Sequence, residues 1–61
     1  MQWGYIEANW KQVKGRVRER WGQLTDDDLE RIAGKRDRLL GVLQERYTET
    51  RENLEKQIEE W

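Results

Sequence analysis

Apolar residues recur along this chain at intervals of three and four. Ile6, Trp10, Val13, Val17 and Trp21 follow one another at steps of 4, 3, 4 and 4, which traces a single stripe on a helix of 3.6 residues per turn. The spacing predicts a first helix over residues 5–21, with Lys11, Lys14 and Arg18 on another face. Glu7 stands four residues before Lys11, the orientation that favours a helix ion pair. Gly15 falls inside the pattern and costs about 1 kcal/mol relative to Ala. It marks either a close approach by another element or a weak point.

Punctuation divides the rest. Gly22 supplies a natural helix stop. Thr25 then precedes three aspartates, and as an N-cap it would have Asp28 in the capping-box position three residues on. The aspartates also oppose the positive end of the helix dipole. A second helix is predicted over residues 26–33, with Leu29 and Ile32 facing inward and Gly34 ending it. A third covers residues 35–47, where Leu39, Leu43 and Tyr47 recur at steps of four beside Leu40. Gly41 suggests close packing there, and Val42 falls outside the main stripe. A break at Thr48, read as a cap, starts a fourth helix carrying Leu54, Ile58 and Trp61, with Glu52 and Lys56 as a second ion pair. No segment alternates with the period of a strand. The pattern predicts an all-α protein, a compact bundle of four short helices in one domain spanning residues 1–61.

Composition limits what such a bundle can do. A 61-residue chain buries only about 60% of the surface its unfolded form exposes. Small domains compensate with disulfides, metals or association. This chain has no Cys and no His, so disulfides and the usual zinc ligands are absent. Four Trp and two Tyr point instead to aromatic packing between helices, with self-association as the other route. The 41% charged fraction is high, but regularly spaced apolar residues separate the chain from a disordered one.

The same absences remove most chemistry. Without His, Cys or Ser there is no familiar nucleophile and base pair, so no enzyme is expected. Asp26 and Asp28 read as capping residues before they read as a cation site or an acid–base pair. The glycines stand singly, and Gly34-Lys35 is followed by Arg36 where a phosphate loop needs Ser or Thr. No cofactor and no small-molecule substrate are expected. No apolar run approaches the ~20 residues that span a bilayer, and no signal-peptide core follows Met1. The expectation is a cytoplasmic protein with no membrane partner.

Charge changes the picture once more. Residues 1–24 carry five Lys/Arg against two Glu, and residues 39–61 carry three Lys/Arg against six Glu. The first segment is therefore +3 and the last −3. Complementarity between packed helices accounts for this gradient. The competing account is a nucleic-acid contact through Lys11, Lys14 and Arg18, with Arg16 and Arg20 extending the charge. Against it stands a net charge of −1, which weakens long-range attraction to phosphate. Trp10 and Trp21 lie on the apolar stripe and are assigned to the core, not to base stacking.

The residues Asn9-Trp10-Lys11-Gln12-Val13-Lys14-Gly15 resemble the CsbD-like family of small bacterial stress proteins. The likeness continues through Trp21-Gly22-Gln23-Leu24-Thr25-Asp26-Asp27-Asp28-Leu29, Gly34-Lys35-Arg36-Asp37, Leu40-Gly41 and Gln44-Glu45-Arg46-Tyr47, and ends in Glu55-Lys56-Gln57 with Trp61. It covers essentially the whole chain. The resemblance implies a four-helix, SAM-domain-like arrangement, a role in the general stress response, and no catalytic residues to carry over. Departures include Gly4 for Asp, which weakens a first-helix cap, Ala8 for Gly, Val42 for a basic residue and Thr48 for Gly. They define a candidate protein interface of Tyr5, Ala8, Val42 and Thr48, as on a natural or engineered scaffold that binds a partner or itself. Three readings are open at this point: a stress protein acting through its surface, an engineered protein-binding module, and a nucleic-acid binder through the first helix.

Overall fold

The computed structural model describes residues 2–61. Helices α1 (Trp3–Ala8), α2 (Trp10–Arg20), α3 (Asp26–Ile32), α4 (Arg36–Arg46) and α5 (Arg51–Glu60) account for the regular structure, and no strand occurs among the described residues. α1 packs against α2, α3 against α4, and α4 against α5.

The expected first helix is two helices. Asn9 leaves the helical region at φ −118°, ψ 34°. Its Nδ2 donates to the Tyr5 carbonyl at 3.0 Å, and its backbone N–H donates to the same oxygen at 3.0 Å. An Asn side chain competes in this way with the helical ladder. Asn9's own carbonyl then starts α2 by accepting from Gln12 and Val13 N–H. The break cancels the expected Glu7–Lys11 pair, and Glu7 bonds Lys35 instead. The first helix begins at Trp3, so Gly4 lies inside the first turn and not at a cap.

The α3 capping box forms as its sequence implies. Asp28 N–H donates to Thr25 Oγ1 at 3.1 Å, and Thr25 N–H donates to Asp28 Oδ2 at 2.9 Å. α3 ends at Ala33 (φ 47°) and Gly34 (φ 81°). A Cβ at Gly34 would stand 3.0 Å from the Glu7 Cα, so this glycine serves both the left-handed turn and the close passage of α1. The start of α5 departs from expectation: Thr50, not Thr48, is the cap, accepting from Asn53 N–H at 3.2 Å. Tyr47 is extended at φ −122°, ψ 148°, and α5 begins only after residues 47–50 have carried the chain away from α4. Glu52 and Lys56 do not pair, whereas Arg51 and Glu55 do, at 2.9 Å.

The core gathers the periodic residues of every helix. Ile6, Val17, Ile32, Leu39, Leu43 and Leu54 are fully buried, and Trp21 and Leu24 nearly so. Trp3, Trp10, Tyr47 and Trp61 pack against this cluster while partly exposed. Their polar atoms are used to join helices. Trp3 Nε1 donates to the Gly34 carbonyl at 2.8 Å, and Trp10 Nε1 to the Leu29 carbonyl at 3.1 Å. Trp3 thus pairs the Gly34 carbonyl, and Trp10 adds a second bond to the Leu29 carbonyl, which also accepts from Ala33 N–H; together they tether α1 and α2 to the α3 region. Trp21 meets Trp61 edge to face at 5.6 Å, and its Nε1 donates to Gln57 Oε1, which seats α5.

Neither Gly15 nor Gly41 sits at a close approach. Both are exposed, and a Cβ at either would meet nothing within 4 Å. Gly15→Ala and Gly41→Ala should each stabilise the protein by roughly 0.5–1 kcal/mol. Gly34→Ala should destabilise it. Urea unfolding of the three variants tests the distinction.

Candidate functional site

Asp28 is the one charged residue in the core among the described residues, at 1% exposure. Arg46 grips it with both arms of the guanidinium, Nε to Oδ2 and Nη2 to Oδ1, each at 2.9 Å. Arg31 Nη2 adds a bond to Oδ1 at 2.8 Å, and Thr25 N–H completes Oδ2. Arg31 reaches on to Glu45 at 3.3 Å. Arg46, then the Thr25 backbone and Arg31, hold the Asp28 carboxyl well below the usual carboxylate range. Both arginines are shifted upward by the same carboxylate.

A buried carboxylate with such a shift has the outward signs of an active site. Its geometry says otherwise. Each oxygen already accepts two hydrogen bonds, which uses the accepting capacity of the group. No lone pair is left for a metal, a water or a substrate proton. Asp26 is likewise engaged, with Arg18 at 2.7 Å. No group of three or more acidic, His or Cys side chains is placed to hold a metal among the described residues. Asp28 is a structural clamp.

Two of the predicted surfaces fare differently. Of the proposed interface residues, Tyr5 is 55% exposed, and Ala8 and Thr48 are exposed. Val42 is not: it is 5% exposed and belongs to the core. α4 buries a wider arc than one stripe, because α3 and α5 both pack on it. Val42 covers the part of that arc which Leu39 and Leu43 leave open. No hydrogen bond or ion pair among the described residues joins Tyr5 or Ala8 to Thr48.

The basic residues stay together. Lys11, Lys14 and Arg18 rise along one side of α2, with Lys11 and Arg18 exposed and Lys14 half-buried. Arg16 and Arg20 lie across the exposed arc from them. Arg18 pairs with Asp26, while Arg20 lies over the Trp21 ring at 5.2 Å and bonds Gln57. Lys11, Lys14 and Arg16 have no ion-pair partner among the described residues. Elsewhere Arg31, Lys35, Arg36, Arg46 and Arg51 each face a carboxylate. The kink at Asn9 also shapes an open depression of about 340 Å³ lined by Glu7, Ala8, Asn9, Trp10, Lys11 and Gln12.

The arrangement accounts for why the sequence carries its motifs. Arg46 holds Asp28, and the adjacent Tyr47 hydroxyl accepts from Gln23 N–H at 3.2 Å. The run at residues 44–47 therefore docks onto the run at residues 21–29. The family profile described as CsbD-like matches residues 5–56. The chain belongs to the CsbD-like family. A UPF0337 protein, YjbJ, of Escherichia coli O6:H1 is 55% identical over 54 residues, spanning 88% of this chain and 78% of that protein. The UPF0337 protein NE2439 of Nitrosomonas europaea is 48% identical over 58 residues, or 95% of this chain and 62% of its own length. The UPF0337 protein RPA4217 of Rhodopseudomonas palustris is 52% identical over all 61 residues, covering 92% of that protein. No solved structure matches the chain. No helix among the described residues is long and apolar enough to cross a membrane.

Sequence reasoning placed Asp28 at a cap but missed its two arginines. Arg46 lies 18 residues away, and nothing in local spacing links them. The choice of Thr50 over Thr48 as the cap had no local signal, since each threonine is followed by a glutamate in the first turn and by neither Glu nor Gln at the third position.

Removing the clamp's charge should be costly. Asp28→Asn should lower the melting temperature at pH 7 more than loss of any exposed pair such as Arg51–Glu55, since it leaves Arg46 and Arg31 without their shared acceptor. The depressed value in the folded state also sets a pH dependence. The stabilisation is complete above the ordinary carboxylate range, about 3.9, and is lost as pH falls below it toward the folded value. Melting curves from pH 7 to pH 2 should show an acid-induced drop that is smaller in Asp28→Asn. A second comparison separates core from surface. Val42→Lys should lower the urea midpoint, because it removes buried apolar surface while its ammonium reaches for solvent, whereas Tyr5→Lys should leave the midpoint nearly unchanged.

Proposed function

We propose that the protein is non-catalytic and acts in the stress response through its surface, with α2 as the working face. One observation supports this reading: among the described residues Lys11, Lys14 and Arg16 project from one helix without acidic partners, while Arg18, Arg31, Lys35, Arg36, Arg46 and Arg51 are paired. The perturbed acid–base chemistry lies at Asp28, where it holds helices together. A surface whose charges the fold does not use is available to something else.

Complementation tests the proposal. In an Escherichia coli strain lacking YjbJ, this chain should restore survival under stress. Lys11→Glu combined with Lys14→Glu and Arg16→Glu should lose that protection while keeping its helical circular dichroism and melting transition. Full protection by the folded triple variant would overturn the assignment to α2.

A further inference from the structure

The exposed side of α2 has an order that packing does not require. Successive residues turn by about 100° around a helix. Val13 and Val17 face the core, which leaves an arc of more than half the circumference in solvent. Lys11 and Arg18, with Lys14 beside them, form one edge of that arc. Arg16 and Arg20 form the other. Between the edges run Gln12, Gly15 and Glu19, all exposed. Gly15 is the low point of this central strip, and no neighbour in the fold accounts for it, since a Cβ there would meet open space. A mid-helix glycine on an outer face lowers stability for no packing return.

Resting on the surface reading above, we infer that α2 seats in the major groove of double-stranded DNA. Two independent features fit this occupant. The cations stand on both edges of the helix, where the two phosphate walls of a groove lie. The central strip that would face the base edges is polar and contains a glycine, which lets the helix backbone come close. The dimensions agree: α2 has 11 residues, or about 16 Å of helix at 1.5 Å per residue, and the major groove is about 12 Å wide, enough to admit one helix. Lys11 and Arg18 are seven residues apart, about 10 Å along the axis, or roughly three base-pair steps. Gln12 and Glu19 have the chemistry to meet adenine and the cytosine amino group. Glu7, at the near end, has its charge held by Lys35, and Arg18 must release its exposed pair with Asp26 to meet a phosphate, which leaves Lys11, Lys14 and Arg16 as the free phosphate contacts. An anionic membrane fits less well, because the apolar side of α2 is buried in the core and cannot enter lipid.

Fluorescence anisotropy with a labelled 20-base-pair DNA duplex at 50 mM salt tests the inference. Saturable binding is expected, with log K falling against log salt at a slope of about −2 to −3 for three phosphate-neutralising cations. Lys11→Glu with Lys14→Glu should weaken binding at least tenfold, and Lys56→Glu on α5 should leave it unchanged. Gly15→Leu gives the sharper test. It should raise the melting temperature, because Leu is the better helix former, and yet weaken binding at least tenfold by filling the central strip. Absence of binding, an unchanged affinity in Gly15→Leu, or equal affinity for an RNA duplex, whose deep narrow major groove excludes a helix, would overturn the inference. Equal affinity for phosphatidylglycerol vesicles would do the same. Failure here with loss of stress survival in the triple charge variant would reject DNA as the partner and leave the working surface in place. Failure of both would reject the surface itself.

Discussion

The buried Asp28 carboxylate organises this protein. A charge moved out of water must recover its lost hydration from fixed donors. Asp28 recovers it from four: two from Arg46, one from Arg31 and one from the Thr25 backbone. Those donors come from the loop before α3, from α3 itself and from the last turn of α4. Their geometry is forked and directional, so α3 and α4 meet in one register. Hydrophobic contact alone would tolerate several. The clamp thus supplies specificity where a core of this size supplies only modest stability.

The aromatic residues extend the same logic outward. Trp3 and Trp10 donate to carbonyls at the end of α3, Tyr47 accepts from the loop at Gln23, and Trp21 reaches Gln57 on α5. Each ring buries apolar area against the core while its polar atom joins two separate segments. A small domain without disulfides or metal gains in this way some of the cross-linking that those devices provide elsewhere. Donors and acceptors inside the molecule are matched, and no buried side-chain polar atom among the described residues lacks a partner. Against that completeness, the cations of α2 that lack an ion pair among the described residues and the open space at Gly15, which Gly41 on α4 shares, are features which the fold leaves unused.

Membership of the CsbD-like family joins these two halves. Two segments within the matched range, residues 21–29 and 44–47, meet at the clamp. They explain why such short helices hold one arrangement. The first marker segment, residues 9–15, has a mixed role. Trp10 and Val13 serve the core, while Lys11, Gln12, Lys14 and Gly15 look outward.

The sequence by itself determined the helical class, the apolar stripe of Ile6, Val13, Val17 and Trp21, the α3 capping box and the glycine stop at Gly34. These depend on interactions within four or five residues, and local periodicity records them. It also identified the basic side of α2, because residues three and four apart necessarily share a helix face. Tertiary structure decided the rest. The break at Asn9 sets Trp10 where its indole meets a carbonyl on α3, and Glu7 pairs with Lys35 in place of Lys11. Val42 became core because α4 is covered on two sides, which no single helix pattern reveals. The pairing of Asp28 with Arg46 is the clearest case. A carboxylate at a helix start has a local reason to be there, but which distant guanidinium neutralises it depends on how two helices cross.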